Sequence, residues 1–241
     1  MNTVEFFLGP VLKGGKHLSA DELVGLIVSR ILPSSKLSFI WGEPLSLEGF
    51  VYALLSDLGE YHWSLRSSFA HWDNFAALRA NPVPENCDKI IMRFSSPHEG
   101  GWGGEIAFAN RVRDLYRAGY PLALESKTRF TYRTMRKLGK FEVGVEDLRV
   151  GEPHPVEDAR TLGRGAYRSK KKTSCPSDLQ VIGPDGRFFP CPMTCLFGLY
   201  SYGSLRDSEF TRERQEECEL VCPFWLGLGG DNGGNNSSGS N

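Results

Sequence analysis

Six cysteines stand in this chain of 241 residues, and they are not spread evenly. Cys87 is the only one ahead of Cys175, whereas Cys175, Cys191, Cys195, Cys218 and Cys222 crowd one short stretch. Core packing alone gives little reason for such crowding. Thiols at short spacings bind soft metals or do redox chemistry, and in a chain that is not exported this outweighs disulfide formation. The turn sequence Gly183-Pro184-Asp185-Gly186 lies between two apolar segments. Proline presets the first central position, and glycine accepts the left-handed residue that closes the turn. A β-hairpin follows, its open end holding Cys175 and Cys191. Cys218 and Cys222 are four apart and would share one side of a helix. Four thiolates from the hairpin base and this helical segment could enclose one metal centre. Structural zinc sites favour paired C-x2-C knuckles, and here the spacings are Cys191-x3-Cys195 and Cys218-x3-Cys222. Iron–sulfur clusters accept more varied spacing, so iron–sulfur leads and zinc stays open.

The remaining chemistry must sit on the elements that precede this module. From about residue 18 to 150, helical and strand-like patterns alternate. Ser19 and Glu22 form a capping box ahead of the stripe Leu23, Leu26, Ile27, Ile31, which Pro33 stops. Strands are expected over residues 36–41, 61–66, 89–95, 120–125 and 141–145. Helices are expected over 47–58 (N-cap Ser46, C′ Gly59), 74–79, 105–118 and 132–138. Such strand–helix units make parallel strands with right-handed crossovers, either an open sheet or an incomplete barrel. Function then belongs in the loops at the carboxyl ends of the strands, which start at Gly42, Ser67, Ser95 and Ser126. The expected fold class is α/β, an incomplete (β/α) barrel of parallel strands with a small C-terminal cysteine-rich hairpin and helix.

Four regions are expected: a barrel over 1–150, a basic linker over 151–174, the cysteine module over 175–226 and a flexible tail over 227–241. The basic stretch from Arg160 to Lys172 reads as a solvated loop. The chain as a whole has 28 Lys and Arg against 29 Asp and Glu, a formal net charge of −1, which argues against nucleic acid as partner. No apolar run is long enough to span a membrane, and the N-terminus lacks a signal-peptide pattern, so the expected compartment is the cytoplasm.

Cys175-x10-Gly186-x4-Cys191, with Cys218 and Cys222 after it, resembles the auxiliary-cluster modules (SPASM and its shorter twitch form) of the radical S-adenosylmethionine enzymes. Trp41-Gly42-Glu43-Pro44-Leu45 is similar to that superfamily's GGEP motif, which follows its second barrel strand. The resemblance spans about residues 18–225. It implies that Gly42, Glu43 and Pro44 bind the amino group of S-adenosylmethionine. An ammonium needs acceptors, and a carboxylate at a strand end supplies one. By position, Ser95 resembles the serine of the ribose-contacting segment. Ser67 and Ser68 stand where relatives carry Thr-Asn-Gly, a departure. His98 follows Ser95 as a loop histidine with no identifiable partner. The resemblance implies a 4Fe-4S auxiliary cluster on Cys175, Cys191, Cys218 and Cys222, with Cys195 an alternative ligand. It also implies S-adenosylmethionine as cofactor, a peptide or protein substrate, and an electron donor such as flavodoxin or ferredoxin.

The superfamily's catalytic CxxxCxxC loop, which follows the first strand, has no counterpart here. Two readings are expected to compete. In the first, the chain is a radical S-adenosylmethionine enzyme lacking its N-terminal part, with the first strand lost. It would then modify a peptide or protein by hydrogen abstraction, and this is favoured because Gly42-Glu43-Pro44 has little reason to persist without its ligand. In the second, it is a non-catalytic iron–sulfur or zinc protein that acts as a binding partner. Either way, the chain as given is expected not to cleave S-adenosylmethionine alone.

Overall fold

A strand the sequence reading did not foresee begins the fold. Residues Thr3–Leu8 form β1, and it lies parallel to the strand that carries the Gly-Glu-Pro segment. The computed structural model of the chain describes residues 3–8, 17–68, 78, 82–94, 101–126, 134, 136, 148–150, 168–174, 180–207 and 217–220. Helix α1 (Ala20–Arg30) follows, with the expected capping box: the Ser19 hydroxyl accepts from the Glu22 amide at 3.2 Å, and the Ser19 amide donates to the Glu22 carboxylate at 2.9 Å. Next come β2 (Lys36–Gly42), a 3-10 turn (Pro44–Ser46), α2 (Phe50–Asp57), β3 (His62–Ser68) and β4 (Cys87–Phe94). Then α3 (Gly101–Arg117), β5 (Leu122–Ser126), β6 (Leu148–Val150) and β7 (Arg168–Ser174) follow. The chain continues through β8 (Val181–Ile182), β9 (Phe188–Phe189), α4 (Pro192–Phe197) and β10 (Glu217–Leu220).

Among the described residues, eight strands form one open sheet in the order β6-β5-β4-β3-β2-β1-β8-β9, parallel except for the β8-β9 hairpin. The α/β class and the parallel strands are as expected. Three details differ. α2 starts at Phe50, capped by Gly49 in the left-handed region, because Ser46 is spent elsewhere: its amide and hydroxyl both bond back to the Glu43 carbonyl. The sheet's next strand after β5 is Leu148–Val150; residues 141–145 lie outside the described residues. The end of the basic span is a strand rather than a loop, since β7 pairs antiparallel with β10. Of the two shorter helices expected, Leu78, Thr134 and Arg136 are described, and all three are helical.

Alternation along the strands sorts the two faces. Leu37 and Phe39, Trp63 and Leu65, Ile90, Met92 and Phe94, and Leu124 join the buried side chains of α1, α2 and α3 in the main core. Ring contacts fix the helices: Phe50 of α2 meets Phe39 edge-on at 5.0 Å, and Phe108 of α3 meets Phe94 at 5.1 Å. Each such ring contributes about 1.5–3 kcal/mol by leaving water. The opposite face is polar over β2 to β5, with Ser38, Ser64, Arg66 and Arg93 all buried there. At the β1 edge this second face is covered instead by the cysteine-bearing segment, whose Val181, Phe189, Met193, Leu196 and Phe197 pack on Phe7.

The hairpin turn forms as expected, with the Gly186 amide bonded to the Gly183 carbonyl at 3.0 Å and Gly186 at φ +80°. Its tip is held by the Leu18 amide, which donates to the Pro184 carbonyl at 2.8 Å. Among the described residues no helix is long and apolar enough to cross a membrane.

Candidate functional site

Two residues of β1 oppose three of β2: Glu5 pairs with Ser38, and Phe7 pairs with Trp41. The extra residue is a bulge in β2, and it reverses the alternation beyond Phe39. Trp41 therefore turns to the opposite face, where the cysteine-bearing segment lies. Its indole N–H donates to the Glu5 carboxylate at 2.6 Å, and its ring packs against the cluster around Cys191 and Cys195. Burial pushes the Glu5 carboxyl above its ordinary value, and the Trp41 hydrogen bond offsets part of that rise. Glu5 was not singled out from the sequence, and the turn of Trp41 to this face could not be read there, because a bulge leaves no mark in the apolar pattern.

The strand ends at Gly42, where φ is +74° and a Cβ would collide with the Leu8 carbonyl oxygen. Only glycine satisfies both demands. The chain then turns: the Glu43 amide donates to that same Leu8 oxygen at 2.6 Å, and Pro44 opens the 3-10 turn. This throws the Glu43 side chain across the carboxyl end of β3. The Ser67 hydroxyl donates to Oε1 of Glu43, and the Ser68 amide donates to Oε2 at 2.9 Å. Both donors are neutral, so the carboxylate is fixed in place without a cation being spent on it. Ser67 and Ser68 are thus the residues that orient Glu43. Glu43's carbonyl already accepts twice from Ser46.

Deeper on this face, Arg66 of β3 reaches across β4 to Glu125 of β5, Nε to Oε2, at 2.7 Å. Arg66 is 5% exposed and Arg93 3%. Register places Ser68 beside Arg93, and Arg93 beside Glu125, on this same face. Sequence reasoning missed all three, since charged residues inside strands look like solvent-facing positions until the second face is known to be covered.

Cys191 caps α4 and Cys195 lies one turn later, its amide bonded to the Cys191 carbonyl at 3.1 Å. Both thiols are buried, and Cys218 packs against the same apolar cluster. The expected helical setting of Cys218 is corrected: it lies in β10, held in a ladder with Thr173 of β7, so four-residue spacing to Cys222 has no helix face to act through. Ser174, which precedes Cys175, pairs with Glu217, which precedes Cys218. Cys175 and Cys222 themselves, like Ser95 and His98, lie outside the described residues. Burial, with the carboxylate of Asp185 and the Cys191 thiol behind it, pushes the Cys195 thiol well above its ordinary value. Soft thiols gathered in a dry apolar cluster suit iron–sulfur or zinc, which would displace their protons. Among the described residues, no three metal-ligating side chains converge. Cys87 is remote from this cluster, buried in the main core.

No known family's sequence profile matches the chain, and no curated protein does.

Proposed function

We propose that this chain is a non-catalytic relative of the radical S-adenosylmethionine enzymes. On this reading it keeps the ligand-recognising end of the second strand and a cysteine module, and it acts by binding. The sheet is proposed to curve as an incomplete (β/α) barrel, with Glu43 receiving the ligand's ammonium and Ser95 near its ribose. Iron–sulfur or zinc would be held by Cys191 with Cys218, Cys175 and Cys222, and Cys195 would be the alternative. When bound, such a centre would supply structural cross-linking or one-electron chemistry. The chain's own residues orient the thiols and exclude water from them.

One observation carries the choice. β1 already stands beside β2 in the first-strand position, and residues 9–16, which lead from it toward α1, contain no cysteine. The enzyme reading, with catalytic thiolates lost together with the first strand, needs that strand to be absent. Sequential parallel strands and a Glu43 carboxylate aligned by Ser67 and Ser68 support the family likeness. A peptide or protein remains the partner that this likeness suggests.

Anaerobic purification, metal analysis and calorimetry with S-adenosylmethionine test this reading. Expected are bound iron or zinc, measurable binding that Glu43→Gln weakens about ten-fold, and no 5′-deoxyadenosine when dithionite is added. Formation of 5′-deoxyadenosine, or no binding at all by the wild-type chain, would overturn it.

A further inference from the structure

Arg66 is a buried cation only half used. Its Nε is bonded to Glu125, whereas its Nη2 is buried and has no hydrogen-bond partner among the described residues. A buried donor left unmade costs about 1–3 kcal/mol, and more on a charged group. Such a cost persists in a fold when something outside the chain makes the bond. The surroundings say what that something is. The ion pair crosses an intervening strand, with Arg66 opposite Ile91 and Ile91 opposite Ala123. Strands lie about 4.8 Å apart, so the Arg66 and Glu125 side chains together span roughly 10 Å over β4. Ser64 and Ser68 flank it two residues away on the same strand face, and the second buried guanidinium, Arg93, stands opposite Ser68.

We infer that the polar sheet face over the carboxyl halves of β3, β4 and β5 is a binding site for the carboxylate or phosphate of a small ligand, with Arg66 Nη2 as its donor. A planar guanidinium presents paired N–H groups that match the oxygens of these anions. Glu125 holds one edge of the fork, so the other is pre-oriented before any ligand arrives. Ser68 connects this site to the neighbouring one, since its amide holds Glu43 while its register partner is Arg93. A ligand lying along β3 would therefore meet a carboxylate at the strand end and a guanidinium below it, a pairing suited to a molecule carrying both a cation and an anion. The inference stands on Arg66 and is independent of whether S-adenosylmethionine is the ligand.

The test uses the full chain and the variant Arg66→Lys, which keeps a positive charge for Glu125 but brings no second nitrogen. The double variant R66Q/E125Q removes both charges of the pair together and replaces R66K if that protein does not fold. Inorganic phosphate and acetate are compared with chloride at matched ionic strength by thermal melting. The expected result is a rise in Tm with phosphate or acetate for the wild type, and an apparent affinity about ten-fold weaker in the variant. No rise in the wild type, or an equal rise in wild type and variant, would overturn the inference. Calorimetry with S-adenosylmethionine and its decarboxylated analogue then locates the anion. Weakening of the first alone by R66K assigns the ligand's own carboxylate to Arg66. Unchanged affinity of R66K for both, with the phosphate effect on the wild type present, assigns the site to a separate anion. Failure of the wild type to bind S-adenosylmethionine removes the proposed function and leaves the phosphate and acetate comparison to decide the anion site.

Discussion

The indole N–H of Trp41 donates to the carboxylate of Glu5 across 2.6 Å, joining the end of β2 to the middle of β1 on the face that the cysteine-bearing segment covers. The contact is diagonal across the strand pair, since Glu5 is opposite Ser38 and Trp41 is opposite Phe7. It exists because the bulge in β2 turns the indole away from the helices. The bond ties the strand-end turn at Gly42 to the apolar cluster around Cys191 and Cys195.

Glu5 should therefore make stability depend on pH in the direction opposite to an ordinary ion-paired carboxylate. Burial raises its folded-state pKa, with Trp41 working against the rise. Its stabilising contribution is complete below the usual carboxyl range and is lost as pH rises through the raised value. Glu5→Gln, which keeps an acceptor for Trp41, is expected to melt higher than the wild type at neutral pH. The two should converge below about pH 4. Trp41→Phe removes the donor and should cost about 1–3 kcal/mol at neutral pH in urea unfolding.

Gly42→Ala should be among the most damaging small substitutions in the chain. A left-handed φ costs a non-glycine residue about 1–2 kcal/mol, and the clash with the Leu8 carbonyl adds to it. A total loss of about 2–4 kcal/mol is expected from denaturant midpoints. Gly25→Ala, in the middle of α1 with open space around its Cβ, should instead be neutral or stabilising by up to about 1 kcal/mol.

At the opposite end of the sheet, Asp88 accepts from Lys36 at 2.8 Å and bonds to His62 Nδ1 at 2.9 Å. Burial pushes its carboxyl up, but the hydrogen bonds and charges of Lys36 and His62 together hold it below the ordinary range. Stability from this cluster is present above the usual aspartate pKa and is lost as pH falls through the lowered value. Asp88→Asn is expected to cost on the order of 0.5–1 kcal/mol at neutral pH, as partly exposed pairs do. The difference from wild type should shrink in acid, as followed by thermal melts across that range.

Cys87 and the module thiols should separate by their effect on bound metal. Burial, with Asp88 beside it, pushes the Cys87 thiol up to about 12, so it carries almost no thiolate at neutral pH. Thiol-labelling mass spectrometry of the native protein should leave Cys87 unmodified until the chain unfolds. Cys87→Ser should leave bound metal unchanged, whereas Cys191→Ser should lower it. Equal metal in the Cys191 variant would refute that ligand assignment.

Much of this protein follows from the sequence alone. The Ser19–Glu22 capping box, the apolar stripe of α1, the strands around Phe39, Leu65 and Met92, and the Gly-Pro-Asp-Gly turn are set by interactions within a few residues, so local patterns suffice to read them. The turn at Gly42-Glu43-Pro44 is legible for the same reason. What the tertiary structure decided is which face each side chain serves. β1 lies ahead of the strand–helix repeat read from residue 18 onward, and its place beside β2 comes from pairing with residues more than thirty positions away. Only that pairing creates the bulge that sends Trp41 to Glu5. Only the tertiary fold turns Arg66 and Arg93 from apparent surface charges into buried groups, with Glu125 partly exposed beside Arg66. Cys218 likewise takes a strand rather than a helix because β7 offers it a ladder, and spacing in sequence carries no information about a partner of that kind.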